Sequence, residues 1–149
     1  MTNIAAAREV IARVRHLEVA EFIVCGGSRN APLVVALADA ATISFFDERS
    51  AAFFALGRIK RDGKPVAVVT TSGTAVAELL PAAVESYYAG APLVLITADR
   101  PARFRGSGAP QAVEQVGIFG PYAATSIEQW DRQRPLHLNI EFDEPLIDE

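Results

Sequence analysis

Cysteine is almost missing: Cys25 is the one such residue in 149. A lone thiol excludes a disulfide framework and any zinc site built from several cysteines, and it fits a reducing cytosol. Long apolar runs are missing too. No uncharged stretch reaches the roughly 18 residues of a membrane span. The opening segment, MTNIAAAREVIARVRHLE, is charged and amphipathic and lacks the apolar block of a secretory signal, so a cytoplasmic location is expected. Positive charge is not in excess: 14 Lys plus Arg face 18 Asp plus Glu, for a net charge of −4. That balance excludes a nucleic-acid binder working through a basic face. The two histidines, His16 and His137, have no partner at metal-ligand spacing, and no metal site is read here. His137 stands in an apolar run and reads as core or rim. No serine has a GxSxG context, and neither GxxxxGK[ST] nor GxGxxG occurs, which removes the hydrolase triad, the Walker loop and the dinucleotide fingerprint.

What is present describes one globular domain over residues 1–149, with 50% hydrophobic and 21% charged residues. Ile4, Ala7, Val10, Ile11, Val14 and Leu17 have helical spacing. Short apolar runs at 22–25, 43–46, 66–69, 93–97 and 136–140 read as strands. Helical spacing fills 33–38, 48–60 and 72–88, the last interrupted or kinked at Pro81. Continuous apolar strands separated by helices imply a parallel sheet covered on both faces. The expected fold is therefore α/β, a three-layer α/β/α sandwich around a mainly parallel sheet. Residues 100–111, rich in Gly, Pro and Arg, read as a long functional loop.

Ligands of such sheets gather beyond the carboxyl ends of the strands. There the sequence places Gly26-Gly27-Ser28-Arg29, Asp47-Glu48-Arg49, Thr70-Thr71-Ser72-Gly73-Thr74 and Ala98-Asp99-Arg100. Thr71 to Thr74 sit between a strand and a helix, where backbone amides either cradle an anion or are capped by Thr71 or Ser72. Glu48 follows Ile43-Ser44-Phe45-Phe46 and precedes Ala51-Ala52-Phe53-Phe54. Either it is a carboxylate whose pKa an apolar pocket raises toward proton transfer, or it is the acidic residue favoured in a helix's first turn. Arg29, Arg100, Arg103 and Arg105 offer guanidinium forks to carboxylates or to solvent. Cys25 closes a buried strand and reads as inert packing.

At these same positions the sequence resembles a known family. CGGSRNAPL, FFDERSAAFFALG, PVAVVTTSGTAVAELLPAAVES, PLVLITADRP and PLHLNIEFDEPL occur in order over nearly the whole chain. Together they resemble the pyrimidine-binding domain of thiamine-diphosphate-dependent enzymes, and most nearly 2-succinyl-5-enolpyruvyl-6-hydroxy-3-cyclohexene-1-carboxylate synthases of menaquinone biosynthesis. TSGTA alone marks only the wider superfamily; DERSAAFFALG with TADRP narrows it. The resemblance implies a transferase that decarboxylates 2-oxoglutarate on thiamine diphosphate and adds the semialdehyde unit to isochorismate. It puts the cofactor-activating glutamate on Glu48, whose carboxyl at N1′ of the aminopyrimidine favours the 4′-imino form that takes the thiazolium proton. It lays Thr71, Ser72 and Gly73 along the cofactor cleft, and substrate-carboxylate contacts on Ser28, Arg29, Arg100 and Gln111.

Three motifs depart from that family. Gly26-Gly27-Ser28-Arg29-Asn30 stands for Pro-Gly-Ser-Arg-Ser, Gly108-Ala109-Pro110-Gln111 for Gly-Ala-Asn-Gln, and Arg134-Pro135-Leu136-His137 for Gly-Pro-Val-His. Pro110 removes an amide donor and restricts the backbone just before Gln111. The chain also contains no GDG motif, the family's mark for holding Mg²⁺ and the diphosphate. The expected partner is a diphosphate-binding domain or subunit, with this chain either a fragment of a longer polypeptide or one subunit of a split enzyme. Alone it is expected to be inactive, and a homo-oligomer is expected, since the helix over 48–60 is apolar nearly all round. Two other readings stay open: a subunit of another thiamine-dependent 2-oxo acid decarboxylase or carboligase, and a non-catalytic binding or assembly domain.

Overall fold

The computed structural model describes residues 1–19 and 21–148. In chain order the elements are α1 (Asn3–Arg15), β1 (Phe22–Val24), α2 (Ala31–Ala36), β2 (Thr42–Ser44), α3 (Glu48–Asp62), β3 (Val66–Thr70), α4 (Thr74–Ala77), α5 (Leu80–Ala89), β4 (Leu93–Asp99) and β5 (Leu136–Glu141). Short 3₁₀ turns lie at Ala102–Phe104 and Gly120–Tyr122. The strands join one sheet in the order β2-β1-β3-β4-β5, every neighbouring pair parallel. The three-layer α/β/α sandwich expected from the apolar pattern is the fold found.

Side-chain alternation along the strands divides the core in two. Phe22, Val24, Ala67, Val69, Val94, Ile96 and Leu136 pack under α1 and α2 with Ala7, Ile11, Val14, Leu33 and Leu37. Ile23, Cys25, Val68, Leu93 and Leu95 pack under α3 and α5 with Ala51, Ala55, Leu56, Ile59, Ala82 and Ala83. Each fully buried large side chain, such as Phe22 or Leu95, contributes roughly 1.5–3 kcal/mol relative to exposure. Asp148 accepts hydrogen bonds from the amides of Asn3 (2.7 Å) and Ile4 (3.1 Å), which puts a carboxylate on the first turn of α1.

The helix read over 72–88 is two helices. Gly73, at φ 84° and ψ −133°, keeps helix out of Ser72 and Gly73, and α4 ends at Ala77. Pro81 falls in the first turn of α5, where its missing N–H and fixed φ are tolerated. In a continuous helix it would have had to bond Ala77, so the chain breaks there instead of kinking.

Strand order decides where a crevice can form. From β1 the chain crosses to the edge strand β2, whereas from β3 it crosses the other way to β4. The connections after β1 and β3 therefore diverge over opposite faces and leave a gap between the two carboxyl ends. The glycine turn after β1 and the TSGT turn after β3 flank that gap.

Candidate functional site

The two turns meet in direct contact. Gly27 approaches Thr71 so closely that a Cβ on Gly27 would lie 2.5 Å from Thr71 Cβ, so only glycine fits. Asn30 locks the turn after β1: its buried carboxamide accepts the Gly27 amide at 2.9 Å and donates to the Cys25 carbonyl at 2.9 Å. Asparagine at position 30 thus closes the glycine turn with one side chain. Ser28 stays exposed on it.

Glu48 is the first residue of α3, behind the N-cap Asp47, whose carboxylate accepts from the Ser50 amide at 3.2 Å and the Ser50 hydroxyl at 2.8 Å. Cys25 at the end of β1 is buried, and its thiol pKa is pushed up to about 12, first by burial and then by the charges of Glu48 and Asp47. Glu48 follows β2 at the strand-to-helix junction read from the sequence, and its charge reaches Cys25 at the carboxyl end of β1. Its surroundings differ from the expected apolar pocket. Phe46, Phe53 and Phe54 are exposed, and Glu48 is half-buried. Helix geometry is the reason: residues three and four positions on share the face of Glu48, and those are the buried Ala51 and Ala52. Phe53 and Phe54 fall on other faces, where Phe54 stacks against Phe45 at 5.0 Å. Glu48 stands over small side chains and is open above. The Thr70 hydroxyl at the end of β3, on the same face of the sheet, is buried with no hydrogen-bond partner among the described residues.

On the other flank the TSGT turn is held by two glutamines. Gln111, itself at φ 55°, accepts the Thr74 amide at 3.1 Å and donates to the Thr74 hydroxyl at 3.1 Å. A Cβ on Gly73 would lie 2.8 Å from Gln111 Cα, so glycine is required both for its φ and for this contact. Arg100 joins the group, donating from Nε to the Pro110 carbonyl at 2.9 Å with its guanidinium 5.7 Å from the Phe104 ring. The residues that the resemblance divides between cofactor (Thr71, Ser72, Gly73) and substrate (Arg100, Gln111) thus belong to neighbouring segments, and the Gln111 carboxamide is engaged by Thr74.

Arg29 is placed otherwise. Its guanidinium is buried and donates to the Phe142 carbonyl at 2.9 Å and to Glu144 Oε1 at 2.9 Å. It ties the turn after β1 to the segment after β5, and an incoming carboxylate would share it with Glu144. Arg103 pairs with Asp143 at 2.6 Å over the Phe104 ring, and Arg105 pairs with Glu141 at 2.6 Å.

Beneath the TSGT turn lies a buried polar group that the linear pattern does not reveal. Gln115 accepts the Gly73 amide at 2.7 Å and donates to the Ala98 carbonyl and Asn139 Oδ1. Asn139 donates to Asp99, and the Thr97 hydroxyl donates to Asn139. Since that hydroxyl proton is committed, His137 Nε2, 2.8 Å away, must carry the proton of the Thr97–His137 bond, which fixes the tautomer. Burial lowers the His137 pKa to about 4. The available sequence signals were polar residues interrupting apolar runs, Asn139 in LHLNIE and Gln115 before VGIF. Among the described residues no three His, Cys, Asp or Glu side chains gather to hold a metal ion, and no helix is long and apolar enough to cross a membrane.

The chain is similar in sequence to known proteins. A family model described as the thiamine pyrophosphate enzyme, N-terminal TPP binding domain, matches residues 4–118. A Bdellovibrio bacteriovorus protein named 2-succinyl-5-enolpyruvyl-6-hydroxy-3-cyclohexene-1-carboxylate synthase is 51% identical over 99% of this chain and 31% of its own length. Proteins of the same name from Akkermansia muciniphila and a Nocardioides species are 54% and 47% identical, over 85% and 96% of this chain and 27% and 28% of their own lengths. The chain spans about three tenths of these curated relatives. With the crevice between β1 and β3, the glycine contact and the TSGT turn in the matched segment, the chain belongs to the N-terminal TPP-binding domain family of thiamine pyrophosphate enzymes.

Proposed function

We propose that this chain is the pyrimidine-binding part of a thiamine-diphosphate-dependent transferase that joins 2-oxoglutarate, after decarboxylation, to isochorismate. The observation that carries the reading is Glu48, a carboxylate at the start of α3 over the Ala51–Ala52 floor, above the carboxyl end of β1 and open to a ligand. The residues present fit an aminopyrimidine. Gly27 and Gly73 stand where any Cβ would collide with Thr71 and Gln111, so the turns bordering the crevice close without side chains between them, and the buried Thr70 hydroxyl at the end of β3 has no hydrogen-bond partner among the described residues. When bound, the cofactor supplies the electron sink that decarboxylation of a 2-oxo acid needs.

This chain's residues do the rest. Glu48 holds and moves a proton at N1′ of the aminopyrimidine; Thr71, Ser72 and Gly73 orient the ring along the crevice. Ser28 and Arg100 take substrate carboxylates, a role suited to the fork geometry of arginine and to two dicarboxylate substrates, while Arg29 and Gln111, already engaged by Glu144 and Thr74, hold the loops behind them. Because Glu48 is half-exposed, the water-excluding cover must come from a partner, a diphosphate-binding domain that also holds Mg²⁺ and the diphosphate. The exposed Phe46 before α3 and Phe53 and Phe54 on its other faces give that partner an apolar surface, and the working form is an oligomer in the cytoplasm.

The test is the complete enzyme, this chain with its diphosphate-binding partner. Wild type forms product only when both 2-oxoglutarate and isochorismate are supplied. Glu48→Gln slows proton exchange at C2 of the bound cofactor by at least about a hundredfold, the scale of lost acid–base assistance. Exchange at the wild-type rate refutes the role of Glu48, and product formation without isochorismate refutes the acceptor.

A further inference from the structure

The turn after β3 and the arginine loop after β4 are anchored on the same carboxylate. Asp99 Oδ1 accepts the Arg100 backbone amide at 2.8 Å, at the head of the arginine loop. Asp99 Oδ2 accepts from Asn139 Nδ2 at 2.8 Å. Asn139 Oδ1 in turn accepts from Gln115 Nε2 at 2.9 Å, and Gln115 Oε1 accepts the Gly73 amide at 2.7 Å. The two ends fix the direction of this chain of bonds. Gly73 can only donate, and the Asp99 carboxylate, whose Oδ2 also faces Arg105 Nη2 at 3.4 Å, accepts, so each carboxamide between them must turn its oxygen toward Gly73 and its nitrogen toward Asp99. The amide dipoles then lie head to tail, and the Asp99 charge polarises each bond in sequence toward Gly73. Gln115 is fully buried. Filling space there would be done more cheaply by an apolar side chain, since a buried carboxamide costs free energy unless fully bonded. A residue that must both accept from Gly73 and donate to Asn139 explains the choice.

We propose that Gln115 and Asn139 are positioning residues through which Asp99 sets the Gly73–Thr74 turn in register with the arginine loop. The proposal rests on the reading that this turn borders the cofactor crevice, but its structural core does not need that reading. Holding Gly73 at its unusual φ fixes the backbone on the β3 side of the crevice, while the other oxygen of Asp99 fixes Arg100 ten residues before its carbonyl contact at Pro110. Displacement of one is then felt by the other.

A charge swap tests this. In the ¹⁵N-labelled 149-residue chain, Asp99→Asn leaves one of two donors, Asn139 Nδ2 or the Arg100 amide, facing an amide nitrogen and removes the polarising charge. The Gly73 amide should exchange with solvent about tenfold faster, the scale of one lost charge-assisted bond, while the amides of Val68 and Leu95 change little. Adding Asn139→Asp restores an acceptor for Gln115 and a partner for the carboxamide introduced at position 99. The double variant should return Gly73 exchange to within about threefold of wild type. Where Asp99→Asn fails to fold, Asn139→Ala, which leaves the Arg100 anchor intact, should give the same local acceleration. Unchanged Gly73 exchange, a rise shared equally by Val68 and Leu95, or a double variant no slower than the single one would each overturn the proposal. In the complete enzyme the thiamine diphosphate Kd should rise and recover in parallel with Gly73 exchange; a Kd that ignores the swap overturns the positioning role. Failure of the wild-type enzyme to bind the cofactor at all would instead count against the proposed function, since the exchange measurements involve no cofactor.

Discussion

Lowering the pH from 7 to 5 should remove about 2 kcal/mol of folding stability through one side chain, His137. The imidazole is buried on β5, edge-on to Phe119 at 4.7 Å, with Nε2–H bonded to the Thr97 hydroxyl. Burial lowers its pKa from 6.5 to about 4. The unfolded chain takes up a proton near 6.5 and the folded chain does not, so this stability is fully present above 6.5 and is lost as pH falls toward 4. The whole window, about 2.5 pH units at about 1.4 kcal/mol each, amounts to about 3.5 kcal/mol. Between pH 7 and 5 about 2 kcal/mol of it should go. Asp39, Asp62 and Asp143 do not obscure this range: each is held below 3.8, first by an arginine hydrogen bond, and contributes its loss only at lower pH. Urea unfolding followed by the fluorescence of Trp130, the single tryptophan, reads the effect at each pH. His137→Gln keeps a donor for Thr97 and removes the titration, so its stability should differ little between pH 7 and 5. A wild-type protein equally stable at both, or a variant that still loses about 2 kcal/mol, would refute the reasoning.

Gly73→Ala should lower stability by roughly 1–3 kcal/mol, because a Cβ meets Gln111 at a φ that disfavours side chains; an unchanged urea midpoint would show that the turn relaxes freely. Cys25, 1% exposed and with its thiol pushed up to about 12, should resist iodoacetamide at pH 8 in the folded chain and react fully in urea. Rapid labelling of folded protein would contradict that burial. At micromolar concentration the chain alone should sediment above 16.0 kDa through the exposed α3 face, and Phe53→Glu should return it to 16.0 kDa; a wild-type species of 16.0 kDa that stays so on concentrating would show that the face needs no cover.

Sequence by itself determined the elements that rest on local pattern. Uninterrupted apolar strands with helices between them fixed a parallel sheet with two covered faces, because no other layer arrangement buries both sides of such strands. Glu48 at a helix start, the glycine turn after β1 and the TSGT turn after β3 were legible for the same reason: ends of strands in such a sheet share one edge. Tertiary structure alone decided what depends on partners distant in sequence. The order β2-β1-β3-β4-β5 put the crevice between β1 and β3. Helix phase turned Phe53 and Phe54 away from Glu48 and set Ala51 and Ala52 beneath it, so the apolar pocket inferred from neighbours in sequence did not form. Arg29 met Phe142 and Glu144, more than a hundred residues on, and left the free edge. Gln115 and Asn139 looked like ordinary polar residues in apolar runs. Their meaning arises only because folding buries them between Gly73 and Asp99, where every donor must find its acceptor.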